Sequence, residues 1–568
     1  MRCWSSVKCR LPISDSPRGT GWIAAGLLAL HGFLAWSLRG PGITAGNDDA
    51  VYLLLARSLR SGHYVDLFYV GLPAHSQYPP IYPGFLALLG SIFGEQLSIF
   101  LVANILLSIV ALALLFSVAR RRDPKIALFA LGVCAVNPLL LAMAGALRSE
   151  PLCMALTALA LWLADRPVVS TRFRLGSAAS AIGAALTRSA SVTLIAALAL
   201  LWLLRRQWRA FVALSVAAAL TVGPWLVWTL VAPHKVAGRS YIADATLLTP
   251  APQPPESGAA VPDTTPTPEP QQVTPPSPPG LGSVLIGRVK QNLPAYAVVS
   301  LGILALPSVA GTRVDNLLWL IVIVSFGAVG LWGLWRWWTG ACLALLCHGA
   351  LLAFWPYVLE RYLVPVLPLA IIALTFGASR IGTRFPRVKG GVVLPAALAA
   401  ALLAGAVPLV RGMRTRASEC RSTIAEQRSR CGSPEERAFF EAAAFIASST
   451  PETARFLAAK EGAFYYYAHR QVVPIYGVLG GDVKDILPYL AENEADYVFL
   501  SHLKVDEWVI ARPLEAICSD LDLVHSWGAT TLLLRVDKGA ADQAACEAIH
   551  AYAQAPWGNR LFRAVDPR

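Results

Sequence analysis

The chain has 568 residues, of which 55% are hydrophobic and 15% charged, and its formal net charge is +13. An ordinary soluble domain is about 45–50% apolar and about 25% charged, so the composition excludes a chain that is soluble throughout. The positive charge is a weak sign of nucleic-acid binding, and we expect no nucleic-acid partner. Arg and Lys cluster in short tracts between long apolar blocks, which is typical of the cytoplasmic loops of membrane proteins.

The apolar blocks predict a mostly α-helical, polytopic membrane protein with about 11 transmembrane helices, because a bilayer needs apolar segments of about 20 residues. The residues at 1–20 are predicted to be a cytoplasmic tail, since basic residues precede the first block and no good cleavage site follows it. The transmembrane domain extends over 21–410, and an odd number of spans places the C-terminus outside. The predicted spans are 21–38, 84–118, 126–145, 150–164, 175–187, 190–204, 210–232, 317–335, 340–356, 362–378 and 391–410.

Two outer loops and one apolar segment interrupt this pattern. The first outer loop covers 39–82, and a second, at 245–282, has a Pro-rich core that we expect to be disordered or polyproline-like. The block at 84–118 is too long for one straight span, so part of it is expected in the membrane interface. We do not count the apolar segment 295–310 as a span, because that would put the basic tract at 380–389 outside; a re-entrant or interfacial segment is predicted.

The remaining segment, 411–568, has soluble composition and predicts a small extracytoplasmic α/β domain. Helical patterns alternate with short strand patterns. The helices are predicted at 435–448, 482–492 and 540–553, and the strands at 455–457, 472–476, 497–500 and 530–536. The four cysteines of this segment are Cys420, Cys431, Cys518 and Cys546. The first two and the last two lie close in sequence, so two disulfides or four thiols both fit.

Charged residues recur at four outer connections between spans, although charge at membrane depth is costly. They are Asp48 and Asp49, Arg148 and Glu150, Arg188, and Glu360 and Arg361. Each alone is explained by helix capping or by an interfacial arginine anchor. Together they indicate more, since carboxylates act as general bases or bind divalent cations and guanidinium groups bind phosphate in a fork geometry. The pattern predicts an acidic catalytic centre beside a phosphate-binding one.

Three short motifs carry a resemblance to a known family. They are the acidic pair Asp48-Asp49 with Tyr52 and the run Ala56, Leu59, Gly62; the segment at 78–83, Tyr-Pro-Pro-Ile-Tyr-Pro; and the segment at 360–365, Glu-Arg-Tyr-Leu-Val-Pro. With these, residues 40–410 resemble GT-C glycosyltransferases, in the branch of the protein O-mannosyltransferases and the bacterial transferases that put aminoarabinose on lipid A.

The resemblance implies a GT-C-like membrane domain and transfer of a sugar outside the cytoplasm. The donor would be a sugar on a polyprenyl phosphate, and the acceptor a lipid, a glycan or a protein. Asp48 matches the family's catalytic base, and Asp49 stands where many members have Glu. Arg361 would hold the leaving phosphate.

The other candidate substrate- or phosphate-binding residues are Arg148, Glu150, Arg188, Tyr362 and Tyr82. Some members use a divalent metal ion, which would bind at Asp49 or Glu150 here. A transporter or flippase of lipid-linked sugars, or a non-catalytic scaffold of the same fold, stays open as an alternative. The expected location is a bacterial inner membrane.

Overall fold

The computed structural model describes residues 18–40, 42–46, 48–166, 170–231, 281–304, 306, 313–355, 358–421, 432–474, 486–503 and 508–555. The predicted Pro-rich loop core at 250–279 and the side chains of Cys420 and Cys431 lie outside the described residues.

Fifteen helices form the membrane half of the described chain. They are α1 (Arg18–Ser37), α2 (Asp48–Arg60), α3 (Ile81–Phe93), α4 (Leu97–Ala119), α5 (Pro124–Val136), α6 (Pro138–Ala144), α7 (Glu150–Ala164), α8 (Thr171–Ala185), α9 (Val192–Leu204), α10 (Trp208–Val231), α11 (Leu281–Ile303), α12 (Arg313–Trp337), α13 (Thr339–Phe354), α14 (Leu367–Gly382) and α15 (Gly390–Arg421). Short 3-10 turns cover Ser189–Ser191 and Glu360–Leu363.

Within the described residues, five of these helices are long and apolar enough to cross a membrane, or six if the bent pair α5–α6 counts as one span. The five are α1, α4, α10, α12 and α15. Several others are apolar but only 13–16 residues long, which gives about 20–24 Å against a hydrocarbon core of about 30 Å. The protein is a multi-pass membrane protein, whereas the predicted number of 11 spans stays a prediction.

Two predicted spans are divided in the structure. The block at 84–118 separates into α3 and α4 because Gly94, with φ of 77°, ends α3, and Glu95 in the break pairs with Arg57 at 2.9 Å. The block at 126–145 bends by 58° between α5 and α6. There Asn137 caps α6 through Leu140 N–H and donates to the carbonyl oxygen of Ile303. The apolar segment at 295–310 is in part the end of α11.

Close backbone contacts hold the long helix α12 against α14. A side chain at Gly330 would overlap the carbonyl oxygen of Ala373, and one at Gly377 would overlap that of Phe326. Small residues allow such approaches between membrane helices, where packing rather than the hydrophobic effect drives association.

An α/β unit follows the last membrane helix. Its helices are α16 (Pro434–Ser449), α17 (Glu461–Ala468), α18 (Ile486–Glu492), α19 (Trp508–Ala516) and α20 (Gln543–Gln554), and its strands are β1 (Phe456–Ala458), β2 (Val472–Val473), β3 (Tyr497–Ser501), β4 (Leu521–Ser526) and β5 (Thr531–Val536). The sheet order is β2-β1-β3-β5-β4, with β1 parallel to both neighbours and β5 antiparallel to both of its own. Sequence patterns missed β4, α17 and α19. A disulfide joins Cys518 to Cys546, which is one of the two pairings that the spacing had left open.

The first outer loop joins this sheet. Val70 N–H donates to the carbonyl oxygen of Val472 at 3.1 Å, and Val472 N–H donates to that of Phe68 at 2.8 Å. One cluster of buried apolar side chains continues from α2 into the α/β unit and contains both Leu55 and Phe464. The loop and the α/β unit therefore pack as one body.

Replacing Gly377 by Leu is expected to lower the thermal unfolding midpoint in detergent, because overpacking costs about 1–3 kcal/mol and here the obstacle is backbone. A side chain at Gly349 on α13 would meet no atom of another described element within 4 Å of its Cβ, so Gly349→Leu is the matched control. Equal midpoints for the two variants would contradict the close packing of α12 on α14.

Candidate active site

The site begins at the first turn of α2, where both carboxylates of the acidic pair are buried. Acidic side chains stabilise a helix N-terminus, which explains why α2 starts at Asp48. Asp49 Oδ2 accepts hydrogen bonds from the backbone N–H of Thr44 at 2.7 Å and from its hydroxyl at 2.8 Å. Asp49 thus fastens the preceding loop, while Asp48 is left to contact other elements.

Three residues from three connections contact the Asp48 carboxylate. Arg148 Nη1 lies 3.0 Å from Oδ2, and Arg361 Nη1 donates to the same oxygen. The Tyr78 hydroxyl donates to Oδ1 at 3.0 Å. Asp48 is 8% exposed, so its charge is compensated by these donors more than by water.

The two guanidinium groups control the protonation of Asp48. Burial by itself would raise the pKa of this carboxyl group, but the charges of Arg361 and Arg148 outweigh burial and hold the pKa below its usual range. Asp48 is therefore ionised at neutral pH and is protonated only at the acid end of a pH profile.

A second ion pair lies next to the first. Arg188 Nη1 contacts Glu150 Oε1 at 2.6 Å and the Ser149 hydroxyl at 3.2 Å, and Glu150 is fully buried. Ser149 also meets the Tyr52 hydroxyl at 2.9 Å, which links the pair to α2. Burial raises the pKa of Tyr52 to about 12, so this phenol stays neutral.

A cavity opens between these charges, with an empty volume of about 390 Å³ including the part open to solvent. Its lining combines two cations with aromatic rings. The lining residues are Tyr52, Tyr78, Pro79, Thr187, Arg188, Ser189, Ala190, Trp355, Arg361 and Tyr362. A cavity of this composition suits an anionic ligand that also has an apolar face.

Buried amide and imidazole groups hold the turns that carry the charged residues. Asn104 donates to the carbonyl oxygens of Ala146 at 2.8 Å and Arg148 at 3.0 Å. His348 contacts the carbonyl oxygen of Tyr362 at 2.8 Å, and Asn292 donates to that of Trp355 at 2.6 Å. None of the three could be predicted from the sequence, because an isolated polar residue within an apolar helix does not reveal which turn it will hold.

The predicted site residues fall into two groups. Asp48, Arg148 and Arg361 meet directly. Arg188 lines the same cavity as Arg361, with its guanidinium carbon 5.6 Å from the centroid of the Tyr362 ring. By contrast, Tyr82 is fully buried, accepts a hydrogen bond from Asn104 at 3.0 Å and is not part of the cavity lining. Its aromatic packing against Tyr52 gives it a structural position.

The candidate ligands of the predicted metal ion, Asp49 and Glu150, are both buried. Asp49 Oδ1 and Glu150 Oε2 are buried without a hydrogen-bond partner in the described structure. However, the described residues contain no group of three or more His, Cys, Asp or Glu side chains placed to hold a metal ion. Metal binding at Asp49 or Glu150 stays a prediction.

Residues 77–229 match the family described as dolichyl-phosphate-mannose-protein mannosyltransferase. Among solved structures, ArnT from Cupriavidus metallidurans in the apo state is similar to this chain with a TM-score of 0.51 and 14% identity over 92% of this chain and 99% of that one. The oligosaccharyltransferase of Archaeoglobus fulgidus matches with a TM-score of 0.49 and 12% identity, over 91% and 74% of the two chains. No curated protein matches the sequence.

The fold is similar to that of ArnT over nearly the whole length of both chains, so the likeness includes the membrane half and the α/β unit. The resemblance to the protein O-mannosyltransferase and aminoarabinose transferase branch, first drawn from three short motifs, is confirmed. The family match begins at residue 77 and therefore includes Tyr78, Arg148, Glu150 and Arg188.

Replacing Glu150 by Gln is expected to lower the unfolding midpoint strongly, because it leaves the Arg188 guanidinium buried without its counter-charge, at a cost of about 3–5 kcal/mol. Glu95→Gln is the matched control, since Glu95 pairs with Arg57 where the two side chains are 25% and 37% exposed. Such pairs contribute about 0–1 kcal/mol. Similar midpoints for both variants would show that the Arg188–Glu150 pair is not desolvated.

Proposed function

We propose that this protein is a membrane glycosyltransferase that moves a sugar from a polyprenyl-phosphate donor to a hydroxyl group of a lipid, glycan or protein acceptor. The observation that carries the proposal is the meeting of an ionised carboxylate, Asp48, with the guanidinium of Arg361 at the rim of an aromatic cavity. The match to a family of dolichyl-phosphate-dependent mannosyltransferases favours sugar transfer over transport.

The cavity offers separate places for the two parts of such a donor. Its guanidinium groups, Arg361 and Arg188, suit the phosphate, which a planar fork of N–H donors binds well. Its aromatic walls, Tyr52, Trp355 and Tyr362, suit the apolar face of a sugar ring. The polyprenyl chain would remain in the bilayer beside the apolar helices.

Donor binding would change the state of Asp48. In the structure its Oδ2 is held by two guanidinium groups, and a carboxylate so compensated is a weak base. A donor phosphate competes for Arg361. When Arg361 turns to the phosphate, Asp48 loses one positive neighbour and becomes more basic. The base is thereby activated only when the leaving group is in place.

The transfer itself needs one proton acceptor and one anion site. Asp48 takes the proton of the acceptor hydroxyl while that oxygen forms a bond to the anomeric carbon. The bond from the anomeric carbon to the phosphate oxygen breaks, and its electron pair leaves with the polyprenyl phosphate, where Arg361 stabilises the charge. Attack opposite the leaving phosphate inverts the anomeric centre.

The proposed location of the reaction is the extracytoplasmic face of a bacterial inner membrane. The N-terminal tail at 1–20 would be cytoplasmic, 21–410 the membrane domain and 411–568 an extracytoplasmic domain. The disulfide between Cys518 and Cys546 supports this side, because disulfides persist in oxidising compartments. The contacts between the α/β unit and the first outer loop require both to lie on one side.

Asp48→Asn is expected to reduce transfer of radiolabelled sugar from polyprenyl-phosphate donors at least about a hundredfold, because the amide cannot accept the proton. Donor binding and the unfolding midpoint are measured on the same samples. Asp165→Asn is the control, since Asp165 also pairs with an arginine, Arg121 at 3.2 Å, outside the cavity lining. Equal turnover of wild type and Asp48→Asn would remove Asp48 from the chemistry.

Arg148→Gln is expected to move the acid limb of the kcat/KM profile to higher pH. Arg148 lowers the pKa of Asp48, so removing its charge lets the carboxylate be protonated at a higher pH, and activity is lost earlier as the pH falls. Arg121→Gln is the control and should leave the limb in place. Coincident profiles for Arg148→Gln and wild type would show that Asp48 protonation does not govern kcat/KM.

A further inference from the structure

The first outer loop contains a buried, hydrogen-bonded carboxylate and imidazole that the proposed transfer step does not use. His75 Nδ1 and Asp66 Oδ1 are 2.6 Å apart. The two residues are 2% and 5% exposed, respectively. Burying a carboxylate and an imidazole together is costly unless both are satisfied by partners, so their arrangement requires an explanation.

The hydrogen bonds around His75 define which nitrogen carries the proton. The backbone N–H of Tyr78 donates to His75 Nε2 at 2.7 Å. A backbone amide can only donate, so Nε2 is the unprotonated acceptor and the ring proton is on Nδ1, which donates to Asp66. Asp66 therefore selects the tautomer that accepts from Tyr78, as a carboxylate does for a histidine in catalytic triads.

Tyr78 is held by contacts with Tyr64, His75 and Tyr52. Its carbonyl oxygen accepts from the Tyr64 hydroxyl at 2.6 Å, and its ring stacks on the imidazole of His75 with centroids 5.5 Å apart and an interplanar angle of 17°. Its ring also contacts that of Tyr52, 4.9 Å away. The hydroxyl at the end of this fixed side chain is the donor to Asp48 Oδ1.

The ends of the loop are held as well. The Trp228 indole N–H donates to the carbonyl oxygen of His75 at 2.9 Å, which ties the loop to α10. On the other side, Phe68 and Val70 pair with Val472 at the edge of the sheet. The loop between these anchors has little freedom to adjust Tyr78 if the Asp66–His75 pair is broken.

We propose that Asp66 and His75 are positioning residues that set the orientation of the Asp48 carboxylate through Tyr78. Both arginines bind Oδ2, so only the Tyr78 hydroxyl defines where Oδ1 points among the contacts described above. A carboxylate that acts as a base must present one oxygen to the acceptor hydroxyl in a narrow range of angles. This inference rests on the proposed function, because it concerns the orientation of the proposed base.

The test is a double-mutant cycle of His75→Asn and Tyr78→Phe. The asparagine amide can still donate to Asp66, but it is too short to accept from the Tyr78 N–H and has no ring to stack on Tyr78. We expect His75→Asn to lower kcat about ten- to a hundredfold with little change in donor binding. In the Tyr78→Phe background the same change should cost less than about twofold more, because the hydroxyl through which it acts is gone.

Rescue by a conservative variant separates positioning from general stability. The glutamine oxygen in His75→Gln reaches the position of Nε2 and can accept from Tyr78 N–H, so kcat should recover in part although the contact with Asp66 is lost. Equal losses from His75→Asn in both backgrounds, or equal kcat for the Asn and Gln variants, would overturn the proposal.

Hydrogen exchange gives a readout that does not depend on activity. Exchange of the Tyr78 amide hydrogen should accelerate in His75→Asn and stay near the wild-type rate in His75→Gln. Unchanged exchange in His75→Asn would overturn the inference even if transfer falls. If the wild-type protein transfers sugar from no donor, the proposed function fails, and the exchange measurement alone then decides whether His75 fixes Tyr78.

Discussion

The structure depends on the pairing of charge at the outer ends of membrane helices. A carboxylate or a guanidinium that loses water must find a partner, and the partners here come from connections far apart in the sequence. Asp48 meets Arg148 and Arg361, and Glu150 meets Arg188. These contacts bring together α2, the turn before α7, the turn before α9 and the turn at Glu360–Leu363. The charges that make the site chemically useful are thus also the contacts that assemble it.

Neutral amide side chains hold in place the turns that carry the charged residues of the site. Asn104 and Asn292 each donate to several backbone carbonyl oxygens at the end of a helix or in a turn. Satisfying these carbonyl groups removes the cost of burying them and holds the turn at one distance from the cavity. Preorganised donors of this kind let a site stabilise charge without rearranging during the reaction.

Asp48, Arg148, Arg188 and Arg361 could be predicted to share one face, because hydropathy and basic tracts define which connections lie outside. The sequence does not show that Tyr82 and Tyr78 have different roles, because both lie in one Tyr-Pro motif. In the tertiary structure Tyr82 is fully buried, whereas the Tyr78 hydroxyl donates to Asp48. The division of 84–118 and the bend at Asn137 were also missed. The sequence stays apolar through both places, and the helix is interrupted there by single residues that turn the backbone.

The pairing of the first outer loop with the α/β unit has a consequence for biosynthesis. Gln471 donates to the carbonyl oxygen of Tyr69 across 402 residues of sequence, beside the backbone pairing to Val472. A growing chain inserts α1 and exposes the loop long before residue 472 leaves the ribosome. Until then, the segment that carries His75 and Tyr78 lacks the strand that holds it. A chain that ended between Arg361 and Val472 would carry every charged side chain of the site and yet lack the completed loop, so the loop is completed only when the α/β unit has been made.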